Sequence, residues 1–298
     1  MELDGARVLA FGTAGAQGSG LVEAITARGA TAIRATSRPE RAQGWGSNAV
    51  VADLSRPVTV ATAASGADAV VLHIPLGLGS PEGGAAVLSS IEMLRDGGLP
   101  VAVNLGSPVP PPGAPDPFGV RPMADAVVAT GAIALTPTAY LENHAAPWAL
   151  GPIAGNELVY PRPADDVLAW ITARDVTAAA VAALSVDLQG ELLVLAGPRP
   201  LTFDELAGEI GAGIGRAVTF RRVTAAEYGE LLAPILGDGA AAGVAAAYGA
   251  MTEGPNPLMT PDASITWEKL GLVPTAARDW AAAVLAPMLR AGTSGNAQ

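Results

Sequence analysis

Short apolar runs, each closed by glycine or a polar turn, alternate with stretches whose apolar residues recur every three or four positions. Val8-Leu9-Ala10-Phe11 predicts a buried parallel strand running into glycines, and Gly20 to Arg28 predicts a helix with Leu21, Ala24, Ile25 and Arg28 at helical spacing. Strands follow at Ala32–Thr36, Ala49–Val51, Ala69–Leu72, Val101–Val103 and Ile133–Leu135, with helices at Pro57–Ala64, Ala85–Arg95 and Met123–Ala129 between them. The stretch from Pro108 to Pro117 is too proline-rich for regular structure and reads as an ordered loop. Alternation of this kind predicts an α/β fold: a Rossmann-like, doubly wound parallel sheet covered on both faces.

Beyond residue 138 the pattern is mixed. Helices are expected at Ala173–Leu184, Thr202–Ile214, Ala225–Leu236, Ala240–Ala247, Trp267–Leu270 and Ala276–Leu289, and strands at Leu192–Leu195 and Val218–Val223. The reading is a larger portion over residues 1–150 and a smaller, discontinuous mixed α/β lobe over 151–292, some of whose segments return to the sheet; 293–298 is a flexible tail.

Composition narrows the chemistry. Acidic residues outnumber basic ones by 28 to 17, a formal charge of -11, which disfavours direct nucleic-acid binding because phosphate contacts need a basic field. No apolar run suggests a membrane span or signal peptide, so a cytoplasmic protein with no membrane partner is the expectation. With no cysteine, thiolate nucleophiles and cysteine-built metal sites are excluded. Histidine occurs twice, on distant segments, and no metal site is expected. All basic residues but Lys269 are arginine, so a mechanism needing lysine has one candidate, far down the chain.

The strongest constellation is Gly12-Thr13-Ala14-Gly15-Ala16-Gln17-Gly18, between the first strand and the first helix. Small residues there permit a tight turn and a close approach of backbone to a pyrophosphate. The spacing is G-x-x-G-x-x-G rather than G-x-G-x-x-G. After the second strand, where a carboxylate would favour a free ribose hydroxyl, stand Ser37 and Arg38, whose donors suit a 2′-phosphate. NADPH over NADH is therefore expected, with residues 1–150 as the main dinucleotide-binding portion and 151–292 as the substrate lobe. Asp53 and the Leu54 backbone follow the third strand, where they contact adenine or cap the next segment. His73-Ile74-Pro75 and Asn104 follow strands four and five, on the side where ligands bind in open α/β sheets.

The order of these segments resembles the NmrA-like group of atypical short-chain dehydrogenase/reductases, closest in character to its NADPH-dependent quinone-reductase-like branch. The resemblance is carried by the Gly12–Gly18 loop, the Arg38 segment, Val51-Ala52-Asp53-Leu54, Gly66-Ala67-Asp68-Ala69-Val70, Pro137 to Asn143, Ala173-Arg174-Asp175-Val176, Leu270-Gly271 and Arg278-Asp279-Trp280. It departs from mainstream short-chain reductases, whose acid is a tyrosine backed by a lysine four residues on. The residues four after Tyr140, Tyr160, Tyr228 and Tyr248 are His144, Ala164, Leu232 and Thr252. The lysine used by the isoflavone-reductase-like branch is missing as well. What the resemblance implies is an enzyme that positions NADP(H) and a conjugated acceptor, with proximity lowering much of the barrier. A homodimer is a further expectation for the class.

The resemblance assigns Thr136 to His144 to the nicotinamide region, with Thr138 and Asn143 as cofactor contacts. This segment also gathers a phenol, a carboxylate, an amide and an imidazole. If a helix starts at Tyr140, Tyr140 and His144 lie one turn apart, and either can donate a proton to a developing oxyanion, with Asn143 holding cofactor or substrate. The expected function is NADPH-dependent hydride transfer to a quinone, enone or related carbonyl or imine. Two alternatives are an NADP(H)-binding redox-sensing regulator without turnover, and a non-redox isomerase or cyclase.

Overall fold

The computed structural model describes residues 1–74, 81–116, 119–251, 253–254 and 256–295. In chain order these form β1 (Arg7–Phe11), α1 (Leu21–Thr26), β2 (Thr31–Thr36), α2 (Pro39–Trp45), β3 (Ala49–Val51), α3 (Pro57–Ala63), β4 (Ala69–His73), α4 (Pro81–Asp96), β5 (Val101–Asn104), α5 (Val120–Ala129) and β6 (Ile133–Pro137). There follow α6 (Pro147–Ala154), β7 (Glu157–Tyr160), β8 (Val167–Leu168), α7 (Ala173–Ala183), β9 (Leu192–Leu195), β10 (Leu201–Thr202), α8 (Phe203–Ile214), β11 (Thr219–Arg222), α9 (Ala225–Leu236) and α10 (Asp238–Ala250). The chain closes with α11 (Ser264–Leu270), α12 (Ala277–Trp280), a π turn over Ala281–Leu285, and α13 (Ala286–Gly295). Thr293 to Gly295 are thus helical rather than part of the expected tail, whose last three residues lie outside the described ones.

Contacts divide the chain into two compact units. The first is Met1–Pro137, Ala173–Leu195 and Asp262–Val273; the second is Thr138–Thr172, Ala196–Pro261 and Pro274–Gln298. The first crossing falls at Pro137, where β6 ends, rather than near residue 150, because the segment after β6 folds with β7 and not with the sheet.

The first unit is a seven-stranded parallel sheet in the order β3-β2-β1-β4-β5-β6-β9. It is the Rossmann-like α/β arrangement, with the order reversing at β1 and β4. β4, β5 and β6 are buried at every position, which is why their sequences are apolar until their carboxyl ends, where His73, Asn104 and Thr136 stand. Leu9, Val70, Leu72 and Val103 pack with Val60, Ile91, Leu94 and Val127 of α3, α4 and α5 to form the core on one face.

The second unit has its own core of Leu141, Leu158, Tyr160, Trp170, Phe203, Ile210, Tyr228 and Trp280. Two-stranded pairings, β7 with β11 in parallel and β8 with β10 antiparallel, frame it. Glycines at helix crossings allow close approach: a Cβ on Gly213 of α8 would stand 2.4 Å from the Arg278 carbonyl oxygen. Among the described residues no helix is long and apolar enough to cross a membrane, and no cluster of three metal-ligating side chains occurs.

Candidate functional site

The loop after β1 lies at the carboxyl end of the sheet, beside β4, where the strand order reverses. It does not enter α1 directly; a 3-10 turn over Ala16–Gly18 intervenes. Internal geometry demands two of its three glycines. Gly12 has φ +84°, and a Cβ there would lie 2.8 Å from the Cβ of His73. A Cβ on Gly18 would stand 2.1 Å from the Gly12 carbonyl oxygen. Gly15 is different: its φ is -91°, and a Cβ would meet nothing nearer than the Gly12 oxygen at 3.6 Å. The turn gives no reason for glycine at 15, whereas an external group approaching the exposed backbone does. Gly15 donates to Gly12 and Gly18 donates to Gly15, at 3.0 and 3.1 Å. The N–H groups of Thr13, Ala14, Ala16 and Gln17 make no backbone hydrogen bond among the described residues. A loop presenting several such donors is suited to an anion.

His73 and Asn104 brace this loop from beneath. The Asn104 side-chain oxygen accepts the Gly106 N–H at 2.9 Å, which turns its amide nitrogen toward His73 Nδ1 at 2.7 Å. Nδ1 is thus the acceptor and Nε2 carries the proton. Burial pushes the imidazole down to about 4, so it is neutral at ordinary pH. Both side chains are buried and act as supports for the loop. Ile74 donates its N–H to the Asn104 carbonyl at 3.2 Å; Pro75 lies outside the described residues. The Gln17 side chain reaches Gly106, where a Cβ would lie 3.0 Å from its Oε1.

At the end of β2, Ser37 and Arg38 are exposed, and Arg38 stands at the N-cap of α2 with its N–H on Thr36 Oγ1 at 3.2 Å. Its guanidinium makes no ion pair among the described residues. A second guanidinium stands on β2 itself: Arg34 stacks over the Trp45 ring at 3.6 Å. Asp53 is spent locally, its Oδ1 accepting from Ser55 N–H and Oγ at 2.9 and 2.7 Å. These bonds close a local turn onto Ser55 and do not cap α3, whose N-cap is Arg56 without a side-chain cap. Leu54 packs into the core, and its carbonyl accepts from Ser90 Oγ at 3.0 Å.

In the second unit the expected helix from Tyr140 does not form. Tyr140 is extended (φ -81°, ψ 132°) and bridges to Ile171; only a 3-10 turn, Leu141–His144, follows, and Pro147 starts α6 afresh. Tyr140 and His144 therefore do not share one face of an α-helix. His144 is buried against Trp170, ring centroids 4.7 Å apart, with Nε2 unpartnered, and burial pushes it down to about 3. A ring so weakly basic is a poor proton carrier near neutral pH. The Thr138 hydroxyl is likewise buried and donates to the Ala169 carbonyl, which removes it from the expected ligand set. Asn143 is only half-buried, with its side chain within hydrogen-bonding reach of the Tyr160 hydroxyl.

Two groupings were invisible in the sequence. Tyr160, Tyr228 and Tyr248, from β7, α9 and α10, converge with ring centroids 5.4 to 5.6 Å apart, and the Tyr160 and Tyr248 hydroxyls are hydrogen-bonded. Arg162 and Asp166 form an almost fully buried ion pair, and Asp166 Oδ1 accepts the Gly254 N–H at 2.9 Å. Their i,i+4 spacing was the available signal, but nothing local told burial from solvation. Arg174 pairs with Glu23 of α1 inside the first unit. The closing Arg278-Asp279-Trp280 does dock its helix: Arg278 pairs with Glu209 at 3.4 Å, and Trp280 Nε1 donates to Glu142 at 3.1 Å.

No family model matches the chain, and neither does any curated protein. Solved structures do. A triphenylmethane reductase from Citrobacter sp., complexed with NADP(H), is similar with a TM-score of 0.73 at 16% identity, over 94% of this chain and 99% of that one. An Escherichia coli NADPH-dependent quinone oxidoreductase gives 0.64 at 20%, over 93% and 99%. A Staphylococcus aureus nucleoside-diphosphate-sugar epimerase gives 0.71 at 16%, over 93% and 99%. At these identities the likeness is one of fold.

Proposed function

We propose that the chain is an NADPH-dependent reductase that passes hydride to a quinone, enone or related conjugated carbonyl or imine. The observation that carries this reading is Gly15: a glycine that the turn does not require, in an exposed donor-rich loop at the switch point of a Rossmann-like sheet. The residues fit the cofactor. The loop from Gly12 to Gly18 would hold the pyrophosphate, and Ser37 and Arg38 the 2′-phosphate. His73 and Asn104 keep the loop in place from below. When bound, the nicotinamide supplies the hydride; the protein orients it and the acceptor, and excludes water. Support comes also from the similar structures, one complexed with NADP(H) and one named NADPH-dependent.

The test is a fluorescence titration with NADPH and NADH, followed by absorbance at the reduced-nicotinamide band with quinones, enones and imines. Tighter NADPH binding, weakened by Arg38→Ala by about tenfold or more while NADH is unaffected, is expected. Equal affinities insensitive to Arg38→Ala would sink the phosphate assignment. The missing Tyr-x-x-x-Lys pair favours one second reading, an NADP(H) sensor without turnover. Tight binding with no oxidation of any acceptor would establish it.

A further inference from the structure

We propose that the His73 side chain is itself a ligand contact: its Nε2–H donates to an oxygen in the nicotinamide half of the dinucleotide, and Asn104 is the positioning residue that fixes its tautomer. The proposal rests on the dinucleotide reading above and deepens it. Every residue it uses belongs to the first unit.

The hydrogen bonds around the ring place its proton. Asn104 Oδ1 is committed to the Gly106 N–H, so the amide nitrogen is what faces His73 Nδ1 at 2.7 Å. A neutral imidazole that accepts at Nδ1 carries its proton on Nε2. His73 is 4% exposed, and Nε2 has no partner among the described residues. Buried donors in folded proteins almost always have one, so this N–H calls for an acceptor from outside the chain.

The edges of the ring show where that acceptor comes from. A Cβ on Gly12 would stand 2.8, 3.4 and 3.5 Å from Cβ, Cγ and Cδ2 of His73. The Cδ2 edge therefore borders Gly12, while the Nδ1 edge faces Asn104 on β5. Nε2 is bonded to Cδ2, so its N–H leaves the ring on the Gly12 side and points away from the backbone of β4. Thr13 Oγ1, on the next residue of the loop, is a second buried polar atom without a partner. Two orphaned polar groups thus flank the glycine at which the loop begins.

The sheet order selects the part of the ligand. Ser37 and Arg38 follow β2, the glycine loop follows β1 and His73 ends β4, three neighbouring strands about 5 Å apart. A dinucleotide with its 2′-phosphate at Arg38 and its diphosphate on the loop brings its nicotinamide half to β4. Burial pushes the imidazole down to about 4, so the donor is the neutral ring. Seating the oxygen takes a small shift of the loop, which the lack of side chains at Gly12 and Gly15 permits.

The test is calorimetric titration of wild type and His73→Phe with NADPH, 2′-phospho-ADP-ribose, 2′-phospho-ADP and 2′,5′-ADP. Phenylalanine keeps the Cβ and the ring beside Gly12 and removes both nitrogens. NADPH affinity is expected to fall about tenfold or more, against less than about threefold for 2′,5′-ADP, which ends before the diphosphate. A loss already present with 2′-phospho-ADP assigns the acceptor to the diphosphate. A loss that starts only with 2′-phospho-ADP-ribose assigns it to the ribose. Unchanged NADPH affinity, or an equal loss for all four ligands, would overturn the proposal. A second measurement needs no variant of His73: nitrogen-15-edited NMR of the imidazole N–H groups, with His144→Leu to remove the other histidine. The His73 Nε2–H signal should move downfield with NADPH and stay in place with 2′,5′-ADP. A proton found on Nδ1, or a signal indifferent to NADPH, would overturn the proposal even if His73→Phe does not fold. Tight NADPH binding that is sensitive to Arg38 but not to His73 would leave the dinucleotide reading standing, whereas no NADPH binding by wild type would overturn both.

Discussion

Acidification from pH 7 to pH 5 should destabilise this protein by about 4 kcal/mol, through two histidines. His73 and His144 are 4% and 1% exposed, and burial pushes them down from 6.5 to about 4 and about 3. In the unfolded chain both rings bind a proton below about 6.5; in the native state they stay neutral until pH 4 and 3. Between these limits the unfolded state binds more protons, so stability is complete above pH 6.5 and falls as the pH drops. At about 1.4 kcal/mol per pH unit, the roughly 1.5 units from 6.5 to 5 amount to about 2 kcal/mol per ring. The carboxylates at helix caps do not confuse this window. Glu205 and Glu227 accept backbone N–H bonds that hold them below their usual 4.5, so they remain ionised at pH 5. The assay is urea unfolding at pH 7, 6 and 5, followed by circular dichroism. His73 belongs to the first unit and His144 to the second, so two resolved transitions should each move by about 2 kcal/mol. His144→Leu removes an unpartnered ring nitrogen and should halve the total pH dependence. A flat stability between pH 7 and 5, or a slope unchanged in His144→Leu, would refute the reasoning.

Other substitutions separate structural from ligand-facing roles. Gly18→Ala drives a methyl to 2.1 Å from the Gly12 oxygen, so it should cost about 1–3 kcal/mol or more in thermal or urea melts. Gly15→Ala should melt within about 0.5 kcal/mol of wild type yet lose NADPH affinity by calorimetry, and unchanged affinity would return the loop to a plain turn. Asp166→Ala removes the carboxylate opposite the buried Arg162 and should cost about 3–5 kcal/mol, whereas the apolar pair Arg162→Met with Asp166→Leu should recover most of it in urea unfolding. Thr202→Ala and Thr224→Ala each break a capping box in which threonine and glutamate exchange hydrogen bonds, so each should lose about 1 kcal/mol in the same assay.

The chain's own pattern determined the parallel sheet. Strands buried on both faces are mostly apolar runs, as in β1 and β4 to β6, and the helices between strands must show three-four spacing, so these elements and α7 could be read locally. The glycine loop was legible for the same reason, since its turn is made by neighbours in sequence. Weakly apolar or very short elements escaped: α2 has only Ala42 buried, and β8 and β10 span two residues each. Their existence depends on partners far along the chain. Tertiary structure alone decided which polar residues are buried and with whom. Asn104 faces His73 because β4 and β5 pair with His73 opposite Asn104. Tyr160 meets Tyr248 across 88 residues because β7 and α10 enter one core. The Tyr140 to His144 segment looked like the reactive cluster because four of its five residues carry polar side chains. Adjacency in sequence does not fix side-chain direction: Pro147 and the bridge to Ile171 break the helix that would have aligned Tyr140 with His144.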